Sequence, residues 1–434
     1  MLVAKNCIPN CHYKLPLLTN WLKQMKNKHL MILLSWLFSV TCAAQTSLTV
    51  TIINPVQEER KDQPVVVDLS PYDLDVVRAV VTREGREIPC QLDDLDGDCR
   101  ADELCFLVNV EPRESQAYQV MLYEDGRQAR YTARTHAQLI LPSRDKKRAK
   151  NRQDTWVRSI TFAPRTKDPY HYVHAHGVCF ESELVALRVY YDHRQTVDIY
   201  GKPRKGLVLE ATQFYPDSAQ LAVGMGDDVL WVGDTYGLGA LRGWDGCRPL
   251  QLDSVRWRTQ RVVAEGPLRA IVEVEDLGYV PAPGQKPVNM VIRYTLYAGH
   301  RDVDVDVTFD RDVSAYRFAT GIINVKNSTE YTDHQGLRGC YGTDWPTGKD
   351  DGKHKLETVG LGIYVPGDYL DSELPANKDD YTMVVRPRGQ SLHYKLAYTS
   401  ANEDFGFRGE REWYAWLWAW RQSLSMPLRV TVSQ

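Results

Sequence analysis

The sequence predicts an all-β protein in which a small amino-terminal barrel or sandwich precedes a much larger, curved β-sandwich. Apolar and β-branched residues recur in short runs that are bounded by Gly, Pro, Asn and Asp. No long segment keeps the 3.6-residue period of an amphipathic helix. Because the runs follow one another without helical segments between them, antiparallel sheets are favoured, and Rossmann and TIM-barrel folds are excluded.

Nine segments carry the strongest strand signal. Each combines β-branched or aromatic residues with a turn signal on either side. They are residues 50–53, 65–69, 79–82, 118–123, 185–191, 257–263, 271–274, 291–297 and 303–309.

The composition indicates folded domains, since 43% of the 434 residues are hydrophobic and 25% are charged. A basic, Arg- and Lys-rich stretch at residues 141–154 predicts a linker. We therefore expect a small all-β domain at residues 46–140. Residues 155–434 are too many for a simple immunoglobulin-like sandwich, so we expect one large sandwich there.

Residues 1–44 are predicted to be a secretory signal segment. Lys26 and Lys28 precede an apolar run at residues 30–40, and small residues follow at 42–44. The unusual length before Met25 favours Met25 as the translation start. The segment predicts a periplasmic or extracellular protein, and a poor lipoprotein box before Cys42 disfavours a lipid anchor. No later apolar run has the length of a membrane span.

The net charge argues against a nucleic-acid partner. Residues 1–44 hold five lysines and no acids, so the remainder carries 48 basic and 56 acidic residues, a charge of −8. The dense basic run from Arg144 to Arg152 is interpreted as a solvated linker, with a patch for a polyanion such as an acidic polysaccharide as the alternative. Six cysteines remain after residue 44 without C-x-x-C spacing, which leaves disulfide pairing open and disfavours thiolate metal sites.

An acidic loop is the candidate metal site. Its four carboxylates stand at alternating positions, as calcium ligands do in tight loops, and the carbonyl of Arg100 would be a fifth ligand. The alternative is an acidic hairpin tip that the charges keep soluble. No motif for an organic cofactor is present, since the glycine run at residues 237–243 lacks the lysine and the strand-to-helix context of a phosphate loop. The four candidate calcium ligands are Asp94, Asp96, Asp98 and Asp102.

The densest group of proton-exchanging side chains lies at residues 168–176. Histidine titrates near neutral pH and a neighbouring tyrosine can act as acid or base, so a catalytic or substrate-binding loop is predicted here. Structural histidines and a transition-metal site are the alternatives. The candidate catalytic residues are Tyr172, His174 and His176, together with Arg188 and Tyr190 at the end of the next strand.

Polar residues on that strand and beyond it are candidates for substrate binding. We expect residues 179–190 to form one extended strand, on which Glu181 and Glu183 share one face and Arg188 and Tyr190 the opposite face. Paired carboxylates suit glycoside hydrolysis, although acids at this spacing commonly face water. The further candidates near turns are Asp198, Tyr200, Lys202 and Asp228.

An aromatic row near the end of the chain is the last candidate. Tyr414, Trp416, Trp418 and Trp420 alternate with other residues, which on a strand places four rings on one face. Trp416 and Trp418 would then stack on sugars, and a packed sandwich core is the alternative.

The order of several segments resembles a family of secreted bacterial proteins, domain of unknown function 4861. The amino-terminal part is also similar to the barrel that precedes exo-acting rhamnogalacturonan lyases, and the remainder to the galactose-mutarotase-like β-supersandwich of polysaccharide lyases and glycosidases. The resemblance implies work on carbohydrates and supplies no reaction. The segments are NPVQEERKDQPVVVDL, IPCQLDDLDGDCRADELCFLVNV, HAHGVCFESELVALRVYYDHRQTVDIYGK, GMGDDVLWVGDTYGLGALRGWDG and RYTLYAGHRDVDVDVTF.

The preferred prediction is an exported polysaccharide lyase that acts on acidic glycans. His174 or His176 would be the base, Arg188 would neutralise the uronate carboxylate, and Tyr172 or Tyr190 would be the acid. One alternative is a glycoside hydrolase that uses Glu181 or Glu183 with Asp198 or Asp228. The other is a non-catalytic glycan-binding protein in which the tryptophan row matters.

Overall fold

Strands dominate the computed structural model, which describes residues 45–145, 147–163, 165–166 and 168–434. The predicted signal segment at residues 1–44 lies outside the described residues. The first strands are β1 (Gln45–Ile53), β2 (Arg60–Asp68), β3 (Arg78–Arg83), β4 (Arg86–Ile88), β5 (Cys90–Asp93), β6 (Glu103–Val110), β7 (Ser115–Tyr123), β8 (Thr135–Gln138) and β9 (Ile140–Leu141).

The larger part of the chain follows the basic stretch. Its strands are β10 (Thr155–Trp156), β11 (Ser159–Phe162), β12 (Gly177–Ser182), β13 (Ala186–Tyr190), β14 (Val197–Gly201), β15 (Asp227–Asp228), β16 (Arg242–Trp244), β17 (Pro249–Leu250), β18 (Trp257–Glu265), β19 (Arg269–Tyr279), β20 (Val288–Tyr297), β21 (Asp302–Phe309), β22 (Phe318–Ile323), β23 (Thr329–Thr332), β24 (Leu337–Asp344), β25 (Glu357–Tyr364), β26 (Leu370–Glu373), β27 (Asp380–Val385), β28 (Ser391–Ser400) and β29 (Arg429–Ser433). The helices are α1 (Leu209–Thr212), α2 (Ser218–Ala222) and α3 (Glu410–Ser425), and 3-10 turns lie at Pro169–His171 and His174–His176.

Two small sheets form the amino-terminal part. A five-stranded sheet has the order β29-β1-β7-β3-β4, and a three-stranded sheet has the order β2-β6-β5. Along β7, buried and exposed positions alternate because one face contacts a core and the other faces water. Val50, Val81, Phe106 and Val120 are fully buried in that core.

A nine-stranded sheet with the order β11-β18-β19-β20-β21-β28-β25-β24-β23 forms the base of the large sandwich. Two five-stranded sheets, β15-β14-β13-β12-β8 and β17-β16-β22-β27-β26, complete the sandwich, and one hydrophobic core includes residues of all three sheets. Strands β13 and β14 are buried at every position, since both of their faces are covered. This placement keeps polar side chains on these strands away from bulk water.

The predicted all-β fold is confirmed. Each of the nine predicted segments overlaps an observed strand, and the registers between the strands named above are antiparallel. Thr46–Gln434 forms one compact unit, with β8 paired to β12 and β29 paired to β1 across the basic stretch. The predicted boundary at residues 141–154 stays a prediction.

The predicted strand around Trp416 and Trp418 is wrong, because this segment forms the 16-residue helix α3. A helix turns about 100° per residue, so the two rings point in different directions. Trp413 and Leu417 are fully buried against glycines of β24 and β25, whereas Trp418 is 55% exposed. The row of rings that would have formed a sugar platform therefore does not exist.

The predicted single strand through residues 179–190 is also wrong. The chain turns between β12 and β13, where the Ser182 hydroxyl accepts hydrogen bonds from the backbone N–H groups of Leu184 and Val185. The turn brings Arg188 beside Cys179 in the β12–β13 register, on the same face as Glu181. Arg188 and Glu181 were predicted on opposite faces.

The six cysteines of the described residues, Cys90, Cys99, Cys105, Cys179, Cys247 and Cys340, all carry free thiols. Across the described ranges, no helix combines the length and the apolar character that crossing a membrane requires.

Candidate functional site

The candidate site lies on one face of the sheet with the order β15-β14-β13-β12-β8, which we call the site sheet. Arg188 occupies its middle strand, opposite Cys179 on one side and Asp198 on the other. Tyr200 stands opposite Asp228 at the next pair of strands. Because alternate residues of a strand share a face, the register places these polar side chains together.

The Arg188 guanidinium is the centre of the site. Its Nε and Nη2 atoms donate to one carboxylate oxygen of Asp198 at 3.0 and 2.7 Å, and Nη2 also donates to Asp228 at 2.8 Å and to the Tyr190 hydroxyl at 3.1 Å. The Tyr190 hydroxyl in turn donates to Asp198 at 2.9 Å. The Nη1 atom of Arg188 is buried and has no hydrogen-bond partner. A buried guanidinium with an unused donor is costly, so an anionic or carbonyl ligand would satisfy it.

A buried ion pair builds the scaffold next to this cluster. Lys202 donates to Glu181 at 2.9 Å, and both side chains are fully buried. Glu181 also accepts the backbone N–H groups of Val208 and Leu209, which fixes the start of α1 against the site sheet. Glu181 and Lys202 are therefore occupied by protein groups, and their role is to position α1.

The residues after α1 cover the Arg188 cluster, and we call residues 213–215 the cover loop. The Phe214 ring lies 4.1 Å from the Arg188 guanidinium, and the fully buried Tyr200 packs against Phe214 at 5.0 Å between ring centroids. Tyr215 follows at the edge, where its ring meets His174 at 5.4 Å and His176 at 6.4 Å.

The two predicted histidines enter the site from the 3-10 turn before β12. The His174 Nε2 atom lies 2.9 Å from the carbonyl oxygen of Gln213, and the His176 Nδ1 atom lies 3.1 Å from the carbonyl oxygen of Tyr170. A carbonyl only accepts, so these ring nitrogens carry the protons, and the Nε2 atom of neutral His176 keeps a lone pair. The His176 ring stacks on Tyr170 at 3.8 Å, and Tyr170 contacts Tyr190 edge-on at 5.3 Å.

The pKa values at the site are shifted in opposite directions. Burial lowers the pKa of both His174 and His176 to about 4, with the positive charge of Arg188 adding to the effect, so both rings are neutral at pH 7. Burial and then the negative charge of Asp198 raise the pKa of Asp228 to about 8. The site therefore pairs a neutral imidazole with a carboxyl group that holds its proton near neutrality.

Four residues around the same groups have left-handed backbone conformations. Ala175 and His176 have φ angles of 53° and 64°, and Gln213 and Phe214 have φ angles of 48° and 70°. Non-glycine residues rarely adopt these left-handed conformations, which persist where the surroundings hold them and which are common at functional sites. The His174–Gln213 hydrogen bond joins the two segments that contain these residues.

The structure brings some predicted residues together and separates others. His174, His176, Arg188, Tyr190, Asp198 and Asp228 join one cluster, with Tyr200 packed behind it. Glu183 lies apart, where it accepts from Arg134 and from the Gly299 backbone, and so cannot pair with Glu181. Tyr172 is 57% exposed beside Phe162, and Trp416 and Trp418 belong to α3.

The acidic loop forms the connection between β5 and β6. Carboxylate oxygens of Asp94, Asp96 and Asp102 lie within 4.8 Å of one another. Asp98 is not part of that group, and its carboxylate accepts the Arg100 N–H at 2.8 Å. Calcium at this loop stays a prediction, with three of the four predicted side chains placed to share an ion.

Sequence reasoning did not assign Tyr170, Gln213 or Tyr215 to the site. Tyr170 stood inside the predicted histidine segment, and its ring is the contact that links His176 to Tyr190. Gln213 and Tyr215 follow a four-residue helix that no period could reveal. Only the position of Tyr215 directly before Pro216, at a turn, indicated a loop.

Comparisons with known proteins give a distant structural likeness and a family. A glycosyl hydrolase family 38 protein from Enterococcus faecalis matches with a TM-score of 0.47 and 9% identity, over 89% of this chain and 47% of that one. An alpha-mannosidase from Enterococcus faecalis V583 gives the same values over 46% of its length, so this chain spans less than half of either protein. No curated protein matches. Because the family model described as Domain of unknown function (DUF4861) matches residues 52–430, the chain belongs to that family.

Proposed function

We propose that the protein is a carbohydrate-active enzyme that cleaves acidic glycans by β-elimination at the Arg188 cluster. The observation that carries the proposal is a neutral, partly exposed His176 near a buried Arg188 whose Nη1 atom lacks a partner. β-Elimination needs a base for the proton beside a uronate carboxyl group, a cation for that carboxylate, and an acid for the leaving oxygen.

The proposed roles of the site residues are chosen from their contacts and burial. His176 is the proposed base, because its Nε2 lone pair is free whereas His174 is almost fully buried. Arg188 would bind the uronate carboxylate through Nη1 and stabilise the negative charge that develops after proton removal. The electrons of the broken C–H bond form the ring double bond, and the bond to the leaving oxygen breaks.

The proposed acid is Tyr215 in place of Tyr172 or Tyr190. The Tyr190 hydroxyl is held by Asp198 and Arg188, and burial and Asp198 raise the pKa of Tyr190 far above its ordinary value. Tyr215 stands at the edge of the cluster beside both imidazoles. Burial raises the pKa of Tyr215 to about 12, so its hydroxyl is protonated and can donate to the leaving oxygen.

A glycoside hydrolase is the second candidate, and one observation favours it. A carboxyl group with a pKa of about 8, as at Asp228, is protonated at neutral pH and suits a general acid. The second carboxylate that such an enzyme needs would not be Asp198, since that side chain is fully buried and bonded to Arg188.

The test is an incubation of the purified protein with polygalacturonate, alginate and neutral glycans, followed by mass analysis and ultraviolet absorbance. An absorbing, unsaturated product supports the lyase. A product that gains one water without absorbance supports the hydrolase. If neither appears with any glycan, the enzymatic proposal is rejected.

Substitutions test the proposed roles of His176 as the base and Tyr215 as the acid. His176→Gln and Tyr215→Phe should each lower kcat by on the order of 10²-fold or more, while the melting temperature changes little. His171→Gln is the matched control, because the His171 side chain is 66% exposed and pairs with Asp168 at 3.2 Å. Equal losses in His171→Gln and His176→Gln would contradict the assignment of the base.

A further inference from the structure

The basic segment, of which residues 143–145 and 147–154 are described, has a fixed place in the fold. Strands β9 and β10 pair at its base, with Leu141 opposite Thr155 and Ile140 opposite Trp156. The segment therefore begins and ends at neighbouring points, as a closed loop does. A loop with joined ends and internal anchors can present its side chains in a defined pattern.

Two sets of hydrogen bonds attach this segment to the elements that cover the site. The buried Asn151 amide donates to Asp217 at 3.1 Å and to Gln220 at 2.7 Å, both at the start of α2. The Gln153 N–H donates to the Gln213 side chain at 2.8 Å, and the Gln213 side chain donates back to the Gln153 carbonyl at 2.9 Å. Gln213 is also the residue whose carbonyl accepts from His174. The basic segment and the cover loop are thus one connected structure.

The cations of the segment divide into paired and unpaired groups. Arg148 pairs with Asp154 at 2.8 Å, and Arg152 lies 3.8 Å from Asp217. Arg144, Lys147 and Lys150 are exposed, and no carboxylate of the described residues lies within 4.0 Å of their charged nitrogens. Asp145 stands among them and accepts the backbone N–H of Lys147, so the segment keeps an excess of positive charge.

Lys150 connects this charge to the site. Its Nζ atom lies 4.7 Å from the centroid of the Tyr215 ring, within the range of a cation–π contact. The charge of Lys150 also contributes to the lowered pKa of His174. Lys150 therefore places positive charge beside the proposed acid, Tyr215. The exposed Lys147 and Arg144 precede it in the same segment, in a chain whose net charge is −3.

We propose that Arg144, Lys147 and Lys150 form a binding strip for the anionic sugar residues that flank the cleavage point, so that the preferred ligand is a long polyuronate chain. This inference rests on the proposed function, since the strip starts at Tyr215. The repeated carboxylates of a polyuronate are complementary in charge to these exposed cations, and such contacts are screened by salt. A short oligosaccharide bound at the Arg188 cluster would contact at most Lys150, the member of the strip that lies beside Tyr215.

The experiment measures binding by titration calorimetry with polygalacturonate, alginate and neutral dextran, at low and at high salt. The strip variant combines Arg144→Gln, Lys147→Gln and Lys150→Gln. The matched control removes the same charge at three scattered, exposed sites as Lys286→Gln, Lys326→Gln and Lys353→Gln. We expect the strip variant to raise the Kd for one polyuronate by about tenfold, the sum of three exposed ion pairs, and to flatten its salt dependence. The control should stay within about twofold, the scale of a small change in net charge.

Three results would overturn the inference: no polyuronate binds the unaltered protein, both triple variants weaken binding equally, or duplex DNA binds as tightly as the polyuronate at the same salt. The outcomes for the proposed function are separate. Binding that depends on the strip without any cleaved product supports the strip and rejects the enzyme. Cleavage that is lost in His176→Gln, with the Kd unchanged in the strip variant, supports the enzyme and rejects the strip.

Discussion

The buried His174 should make the protein sensitive to acid in a way that a single substitution removes. The folded state lowers the pKa of His174 from 6.5 to about 4, first through burial. Below pH 6.5, His174 is therefore protonated in the unfolded chain but stays neutral in the folded state. The free energy of unfolding consequently falls as the pH falls toward 4. His174→Gln removes this proton and keeps an amide that can donate to the Gln213 carbonyl.

The size of the effect follows from the two pKa values. For one such histidine, the loss of unfolding free energy is about 2 kcal/mol at about pH 5 and close to zero at about pH 7.5. The variant should therefore lose about 2 kcal/mol less than the unaltered protein between these conditions. Constant effects of the substitution, such as altered packing, cancel in this difference.

The assay is urea unfolding at both pH values for the unaltered protein, His174→Gln and the exposed control His171→Gln. Asp228 titrates in the opposite sense, so the comparison between variants matters more than the pH profile of the unaltered protein. If the unaltered protein and His174→Gln lose the same unfolding free energy, the ring is not held neutral by burial and the reasoning is refuted.

Three further outcomes are expected. Asp228→Asn should become more stable relative to the unaltered protein as the pH rises from about 5 to about 8 in the same urea assay. The reason is that a carboxyl group with a raised pKa destabilises the folded state once the pH exceeds the ordinary pKa of that group. If the difference in unfolding free energy between the two proteins does not change with pH, the pKa of about 8 is contradicted. Calcium at millimolar concentration should raise the melting temperature of chelator-treated protein and should not do so in Asp96→Ala; an equal rise in both would reject the acidic loop as the site. Trp413→Ala should cost about 3–5 kcal/mol in chemical unfolding and Trp418→Ala about 0.5 kcal/mol or less, because the first ring is fully buried and the second is 55% exposed; similar costs would contradict the helical arrangement.

The strand content could be predicted because it depends on local patterns. Turn residues bound each predicted strand, and alternation follows from one buried face, as in β7. The helix α3 was not predicted, because its aromatic residues are so dense that they satisfy both a period of two and a helical period. What decides between them is not in the segment: Gly360 and Gly362 of β25 leave room for Trp413 and Leu417, and a Cβ at Gly362 would lie 2.4 Å from Leu417. This packing joins segments that are far apart in the sequence, so the sequence of α3 alone does not reveal it.

The candidate site could be predicted in part for a similar reason. Arg188 and Tyr190 share a face by simple alternation along a strand. The density of histidine and tyrosine at residues 168–176 indicated a functional loop. The turn after Ser182 contains neither Gly nor Pro, so the side of the sheet that Arg188 occupies could not be read from residues 179–190. Tyr215 reaches the site through α1, which Glu181 fixes from a strand 27 residues earlier. Such long-range contacts have no local signal.

The pairing of β1 with β29 has a consequence for the order of folding. Val50 lies opposite Val432, so one edge of the amino-terminal sheet receives its partner only from residues near the other end of the chain. During synthesis, that edge of β1 has free backbone donors and acceptors until Arg429–Ser433 has been made, and open strand edges are sites of unwanted pairing. Closing so long a loop is also slow, which places this contact late in folding. The five-stranded amino-terminal sheet would then be completed only after the large sandwich has formed.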